Sequence, residues 1–286
     1  MSQLVLNPIT ERQLQHYLAA PSHGLLLSGP VGAGKWSLGQ LIAAGVLGIE
    51  IDALETYPYI RTIRSDDGRA ISIESVRALE QFLSLKVPRP GVINRVVLIE
   101  SAHLLGLEAQ NALLKTLEEP PAATAIILLT DTEEALLLTV RSRLQTINVK
   151  RPAVAALKAH LEAQNHAAKD IGQALAISGG LPGLASGLLR SDDHPLQAAT
   201  ALARQLLQDT MYQRLLRVDE LTKQKTLVEG ALFIMQQMAH ARLQTVDGAQ
   251  AERWQQILRS SYEAAEALTR NAQTKLVLDK LMVSLG

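Results

Sequence analysis

The sequence predicts an α/β domain with a parallel five-stranded sheet, followed by two all-helical domains. In the first half of the chain, short apolar runs alternate with amphipathic stretches, a pattern typical of strands buried on both faces and connected by helices. In the second half the strand-like runs largely cease, and apolar residues such as Leu202 and Leu206 recur at helical spacing. We therefore predict domains at residues 1–150, 151–192 and 193–286.

The elements of the first domain follow one another along the chain. A helix comes first, with Thr10 as its predicted N-cap and Gln13 as the capping-box partner. The predicted strands are residues 25–28, 59–63, 96–99, 126–129 and 146–149. The helices between them are predicted at about residues 35–47, 75–85 and 108–117, and the last is ended by prolines, which lack the amide hydrogen.

Two helical segments make up the rest of the chain. Arg151 and Pro152 interrupt the pattern, and residues from there to about 190 predict a small helical domain that contains the turn-rich string SGGLPG at 178–183. A second helical block begins near Pro195. Alternating strands and helices followed by helices alone predict a single sheet that is confined to the first domain.

Composition excludes several classes of protein. The chain has no cysteine, which excludes disulfides and cysteine-based zinc sites. Its 28 basic and 28 acidic residues balance, so net charge gives no argument for a free-standing nucleic-acid binder. Apolar runs such as AIILL at 125–129 are far shorter than the roughly 20 residues that span a bilayer, and no signal pattern begins the chain. We predict a cytoplasmic protein with no membrane contact.

A phosphate-binding loop is predicted between the first strand and the following helix. Residues 29–37 read GPVGAGKWS, and they follow LLLS and open a helix, which is the context that such a loop requires. The glycines allow backbone amides to point at phosphate oxygens, the helix N-terminus adds partial positive charge, and Lys35 reaches the outer phosphates. The predicted nucleotide-binding residues are Gly29, Pro30, Gly32, Gly34, Lys35, Trp36 and Ser37.

Two positions of this predicted site carry the wrong chemistry for ATP hydrolysis. The residue after the lysine should be Ser or Thr, whose hydroxyl ligates magnesium, but it is Trp36. Ser37 points about 100° further round the helix and is a poor substitute. The strand at 96–99 ends in Glu100 and Ser101 where an acidic pair would hold the magnesium shell and polarise water. A serine hydroxyl is a poor general base, so we predict a degenerate site.

Two further strings identify a family. Residues 108–121 read EAQNALLKTLEEPP and residues 137–145 read LLTVRSRLQ. Together with the loop and the string IESAH at 99–103, they resemble the bacterial clamp-loader subunits of the AAA+ class, which include the gamma/tau and delta-prime subunits of DNA polymerase III. The resemblance implies an AAA+ P-loop module, a helical lid and an all-helical collar domain. Five such subunits form an open hetero-oligomeric ring that uses ATP to place the sliding clamp on primed DNA.

The resemblance also assigns roles to single residues. Arg143, in the triplet Ser-Arg-Leu where the family has Ser-Arg-Cys, matches the arginine finger that projects into a neighbouring subunit's ATP site, although Arg141 is close by and competes for this role. Thr130 matches the first sensor, and Pro182 stands where active subunits carry a second sensor arginine. Lys115 is a weak candidate for a DNA contact, and a solvated helix lysine is the favoured interpretation.

These assignments predict a delta-prime-type subunit that supplies Arg143 in trans and does not hydrolyse ATP itself. Its predicted partners are the gamma/tau and delta subunits and, through the complex, the sliding clamp and primed DNA. The loop is compatible with ATP or ADP held without hydrolysis and also with no nucleotide, and no metal or zinc is expected. Two alternatives stay open, namely an active ATPase of the gamma/tau type and a free-standing scaffold that has lost the ring.

Overall fold

The computed structural model describes residues 4–65, 70–85, 87, 93–190, 195–243, 246–270 and 272–285. The chain divides into two compact units, Met1–Pro152 and Ala153–Gly286. The separation of a lid from a collar at residue 192 stays a prediction, and residues 191–194 lie outside the described residues.

The first unit contains one parallel five-stranded sheet with the strand order β2-β3-β4-β1-β5. Its strands are β1 (Gly24–Ser28), β2 (Ile60–Ile63), β3 (Arg95–Ile99), β4 (Thr124–Thr130) and β5 (Gln145–Asn148). Its α-helices are α1 (Pro8–Ala19), α2 (Lys35–Leu47), α3 (Ile73–Leu83), α4 (Leu107–Glu118) and α5 (Leu138–Arg141), with short 3-10 helices at Ile51–Thr56, Ala102–Leu104 and Glu133–Ala135. The predicted α/β fold is therefore confirmed.

Helices cover both faces of the sheet. Every residue of β1, β3 and β4 is buried, whereas the edge strands β2 and β5 are partly exposed. On one face α2 approaches closely, because its Gly39 lies against Leu98 and Leu129. On the other face, Leu79 of α3 and Leu113 of α4 belong to the same apolar core as alternate residues of the central strands. Burial on both faces explains why these strands are continuous apolar runs in the sequence.

The predicted N-cap of α1 was wrong. The cap is Asn7, whose side chain accepts a hydrogen bond from the amide of Ile9 at 2.9 Å. Thr10 is buried within the helix instead, and its hydroxyl donates to the carbonyl of Asn148 at 2.8 Å. The side chain of Gln13 accepts from the amide of Asn148 at 3.2 Å. Both predicted capping residues therefore fasten α1 to the edge strand β5, a use that local sequence does not reveal.

The second unit is entirely helical in its described part. Its helices are α6 (Val154–Ala163), α7 (Ala168–Ser178), α8 (Pro182–Arg190), α9 (Pro195–Gln208), α10 (Met211–Leu216), α11 (Val218–Leu221), α12 (Lys225–Leu243), α13 (Ala249–Thr269) and α14 (Thr274–Ser284). One large apolar core joins residues of α9, α12, α13 and α14. A smaller core includes Leu157 and Leu161 of α6 with Ile171 of α7.

Two contacts fix the packing of the larger helices. Gly230 of α12 lies so close to α9 that an added Cβ atom would stand 2.9 Å from the Cβ of Ala199. Arg214 is buried, and its guanidinium donates to the carbonyl of Leu206 at 2.6 Å and to that of Met282 at 3.4 Å, joining the ends of α9 and α14. Across the described residues, no helix is both long enough and apolar enough to cross a membrane.

Candidate functional site

The candidate site lies at the carboxyl ends of four neighbouring strands. Arg64 directly follows β2, Glu100 follows β3, Asp131 follows β4, and Gly29 follows β1. The sheet register pairs Ser28 with Thr130 at one of these ends, so all four strands finish at the same edge. In open parallel sheets this edge forms the crevice where ligands bind.

The glycine-rich loop has the backbone that the sequence predicts. A Cβ atom on Gly29 would stand 2.5 Å from the carbonyl oxygen of Val149, so only glycine fits where the end of β5 approaches the loop. Gly32 and Gly34 have φ angles of 79° and 85°, in the left-handed region that favours glycine. Gly34 is the N-cap of α2, so the loop leads directly into the helix N-terminus.

Lys35 is buried and has three partners. Its ammonium group donates to the carbonyl oxygens of Gly29 at 2.7 Å and Pro30 at 2.8 Å and forms an ion pair with Asp131. These contacts engage all three of its donors. The lysine side chain is 9% exposed and that of Asp131 is 28% exposed. Asp131 was missed in the sequence analysis, although its position directly after a buried strand was a usable signal.

Trp36 is part of a second charged cluster. The guanidinium of Arg64 lies over the indole ring at 4.2 Å from its centroid, and its Nε pairs with the carboxylate of Glu100 at 2.8 Å. A cation stacked on an aromatic face is attracted by the ring quadrupole. The two predicted metal-side positions, Trp36 and Glu100, are thus bridged by one arginine side chain that the sequence analysis did not single out.

Two serines, Ser101 and Ser37, lie near the charged clusters of the site. Ser101 has a φ angle of 56° and leads into the short helix Ala102–Leu104, so the chain turns sharply where an active site would carry its second acid. Ser101 therefore places a hydroxyl, and not a carboxylate, at this position of the crevice. Ser37 is half-buried in the first turn of α2.

Thr130 is placed at the site but uses its hydroxyl locally. The side chain is fully buried at the end of β4. Its Oγ1 donates to the carbonyl of Thr132 at 2.9 Å and accepts from the amide of the same residue at 3.1 Å. These bonds stabilise the turn that carries Asp131. The sensor role of Thr130 stays a prediction.

His103 is a further titratable group beside the Lys35–Asp131 pair. Its Nδ1 lies 3.5 Å from the backbone amide of Asp131, which donates to it. Burial lowers the pKa of His103 below its ordinary value, the charge of Asp131 opposes this shift, and the charge of Lys35 adds to it. The string IESAH contains this residue, but only the fold shows that it lies beside the lysine.

Arg143 lies away from this cluster, on the turn that follows α5. Its Nη1 donates to the carbonyl of Thr139 at 2.7 Å, and its Nη2 forms an ion pair with Glu118 at 2.6 Å. The side chains of Arg143 and Glu118 are 34% and 49% exposed. The competing Arg141 pairs with the less exposed Glu133 at 2.9 Å.

Two other predicted positions occupy ordinary helical environments. Lys115 is exposed on α4, as a solvated helix lysine would be. Pro182 is the first residue of α8, a position where its fixed φ angle and missing amide hydrogen are tolerated. Among the described residues, no group of three or more His, Cys, Asp or Glu side chains is arranged to hold a metal ion.

Comparison with known proteins identifies the family. A family model described as DNA polymerase III, delta subunit, matches residues 7–153, just over half of the chain. The chain belongs to this family. This delta-family chain is 32% identical over 181 residues to the DNA polymerase III subunit delta' of Pseudomonas aeruginosa, covering 57% of the chain and 55% of that protein. It is 33% identical over 148 residues to the Escherichia coli subunit delta', covering 51% and 44%. The chain thus matches about half the length of these relatives.

The delta-family chain also resembles the tau/gamma subunit. It is 32% identical over 151 residues to DNA polymerase III subunit tau/gamma of Haemophilus influenzae, covering 49% of the chain and 22% of that protein. Sequence identity alone therefore does not separate the delta-prime type from the tau/gamma type. The residues of the candidate site have to make that distinction.

Solved structures share the fold of the delta-family chain. A DNA polymerase III gamma subunit-related protein from Thermotoga maritima matches with a TM-score of 0.59 at 19% identity, over 96% of this chain and 98% of that one. The Thermotoga maritima RuvB Holliday junction branch migration motor matches with a TM-score of 0.50 at 18% identity, over 70% and 64%. At these identities the likeness concerns the AAA+ fold alone.

Proposed function

We propose that this chain is a delta-prime-type subunit of the DNA polymerase III clamp loader. It assembles with gamma/tau and delta subunits in the cytoplasm and supports loading of the sliding clamp on primed DNA. The proposal rests on the family match together with the chemistry of the phosphate site. At the two positions that would contact magnesium, the chain has Trp36 and a Glu100 that is already paired with Arg64. An active subunit of the tau/gamma type needs both of these positions for magnesium.

The chain does not hydrolyse ATP under this proposal. Magnesium requires oxygen ligands, and the indole of Trp36 provides none where a hydroxyl should stand. Ser101 replaces the acid that would polarise the attacking water. In addition, Pro182 has no charge to sense a phosphate in the lid. Three separate steps of the reaction therefore lack the side chain that would perform them.

Arg143 acts instead on the ATP bound by a neighbouring subunit. The two arginine side chains are equally exposed, at 34%, so the choice of Arg143 over Arg141 is supported by their partners. Glu118 is 49% exposed, and an ion pair to so exposed a carboxylate contributes little free energy. Arg141 is held by Glu133, whose side chain is only 22% exposed. A guanidinium that leaves its partner easily can reach the γ-phosphate of another molecule and stabilise the charge there.

The test is Arg143→Ala in a ring reconstituted with gamma/tau and delta subunits. Turnover at the ATP site next to this subunit is expected to fall by roughly 10³-fold or more, while assembly measured by gel filtration is unchanged. The matched control is Arg141→Ala, which removes the same charge from the end of the preceding helix and should leave turnover close to the wild type. Unchanged turnover with Arg143→Ala would refute the finger assignment.

The isolated chain tests the hydrolysis claim. We expect no ATP turnover above background with magnesium present. Rapid turnover by the purified chain would favour the alternative of an active subunit of the gamma/tau type. Failure to assemble with gamma/tau and delta subunits would favour a free-standing scaffold.

A further inference from the structure

Two ion pairs meet the helix that follows the phosphate loop at two adjacent residues, Lys35 and Trp36. Lys35 pairs with Asp131, and the next residue, Trp36, carries the guanidinium of Arg64, which pairs with Glu100. Two positive and two negative groups thus balance within the described residues of the crevice. In an ATP site with magnesium, the positions of Trp36 and Glu100 contact the metal and its water shell.

The residues present do not fit a divalent cation. Magnesium takes near-octahedral oxygen ligands and binds through carboxylates together with substrate phosphates. The indole ring offers no such oxygen, and the carboxylate of Glu100 already accepts the Nε of Arg64 at 2.8 Å. A metal ion at this position would be close to a guanidinium of the same charge sign.

We propose that Arg64 takes the place of the metal ion, so that the loop binds a phosphate-bearing ligand, a nucleoside polyphosphate or inorganic pyrophosphate, without a divalent cation. The guanidinium is fixed charge that needs no metal, and the flat face of Trp36 and the carboxylate of Glu100 hold it in position. Among the described residues the ion pair uses Nε, and the two terminal nitrogens have the fork geometry that grips phosphate oxygens in a bidentate manner.

Ligand binding then proceeds by exchange of partners. A phosphate oxygen replaces the carboxylate of Asp131 on the ammonium of Lys35, and the loop amides and the N-terminus of α2 contribute as they do in other phosphate loops. A second phosphate meets the guanidinium of Arg64. Asp131 and Glu100 limit affinity, because both compete with the ligand for these cations.

The first experiment measures the magnesium dependence of binding. The full-length chain is titrated by calorimetry with ATP, ADP and inorganic pyrophosphate, once with EDTA and once with magnesium. We expect the dissociation constant to change less than about threefold between the two conditions. Binding that needs magnesium, or no binding of any probe at about 1 mM, would overturn the proposal.

The second experiment tests whether the guanidinium of Arg64 is the positive group that binds the ligand. Arg64→Ala is expected to weaken metal-free binding about tenfold or more, since a hydrogen-bonded charge is removed. The matched control is Arg61→Ala, because Arg61 lies on β2, which Arg64 directly follows, and lines the same 660 Å³ groove as Arg64 but does not stack on Trp36 in the described contacts. Equal weakening by both variants would mean that only general positive charge matters, and the proposal would fail.

Two additions keep the result interpretable. If Arg64→Ala does not fold, as judged by its melting transition, Arg64→Lys keeps the charge but removes the fork and should still weaken binding. The chain has two tryptophans, so Trp254→Phe leaves Trp36 as the sole tryptophan, and its emission should change on metal-free titration. Emission that does not respond while heat is released would place the ligand elsewhere and refute the assignment.

The inference rests on the proposed function only in treating the loop as a phosphate site. The finger experiment concerns Arg143, on a different part of the unit, and it measures turnover by a ring. The present experiments measure binding by the single chain. Either proposal, the finger role of Arg143 or metal-free binding at the loop, can therefore be refuted without affecting the other.

Discussion

His103 gives the site a pH dependence with a definite sign. Because its pKa is lowered in the folded chain, the unfolded chain takes up a proton first as the pH falls below the ordinary value of about 6.5. The contribution of His103 to stability is therefore present above pH 6.5 and is lost as the pH falls toward the lowered value. The neutral ring is the form that accepts the amide of Asp131.

We expect His103→Asn to reduce this pH dependence. The asparagine carbonyl can accept the same hydrogen bond but does not titrate. Denaturant unfolding at pH 7.5 and pH 5.5 should show a smaller loss of stability for the variant than for the wild type. Parallel losses in the two proteins would contradict the assignment. His240→Asn, on an exposed side chain of α12, is a control for general effects of removing a histidine.

At the level of residues, the sequence predicted the phosphate loop but not the charged residues that pair with it. The loop glycines and Lys35 could be predicted because their spacing is set by the phosphate-loop backbone itself. Asp131 and Arg64 could not be paired with their partners, because each pair joins residues that are far apart in sequence. Those pairings depend on the strand order β2-β3-β4-β1, which brings four strand ends together.

At the level of elements, we expect the same substitution at two helical glycines to change stability in opposite directions. Gly172 of α7 is exposed, and nothing lies within 4 Å of an added Cβ atom. Gly172→Ala should therefore stabilise the chain by about 0.5–1 kcal/mol, since glycine is the poorer helix former. Gly230→Ala should instead destabilise by about 1 kcal/mol, because the new methyl group would be 2.9 Å from Ala199 and α9 and α12 would have to separate.

Thermal or urea unfolding of both variants checks this pair. The two substitutions are chemically identical, so any difference between them reports the packing of the helix and not the glycine itself. Stabilisation by both would mean that α9 and α12 have room at their crossing, contrary to the described contact.

The elements themselves were largely predictable, and the exceptions have physical causes. Strands that are buried on both faces are largely apolar, so short apolar runs located β1, β3 and β4. The edge strands β2 and β5 are partly exposed and contain polar residues, so their apolar signal is weaker. Periodicity also located α2 and α4 closely. The capping of α1 was wrong because a threonine and a glutamine near a helix start can bond either to their own helix or to a neighbouring strand. Here the strand β5 provides the partners for Thr10 and Gln13.

The whole molecule is expected to separate into two folding units. Residues 1–152 and 153–286 each form a compact unit, and each is of the size of an independent domain. The α/β unit has the core of its sheet, and the helical unit has the core shared by its long helices. Each part therefore buries enough apolar surface to fold without the other.

Expression of the two parts as separate chains tests this. Each should show a cooperative thermal transition and dispersed amide signals, with strand content confined to the first part. A gradual, non-cooperative transition in either part would show that it depends on the other. The intact chain measured under the same conditions is the reference.

The ion pair between Arg143 and Glu118 has one last consequence, which concerns ionic strength. At physiological salt, counter-ions screen charges over about 8 Å, and an exposed pair contributes at most about 1 kcal/mol. Moderate salt therefore loosens Arg143 from Glu118, while the largely buried Lys35 keeps its contact with Asp131. The exposed pair therefore responds to the ionic strength of the surroundings, whereas the largely buried pair is insensitive to it.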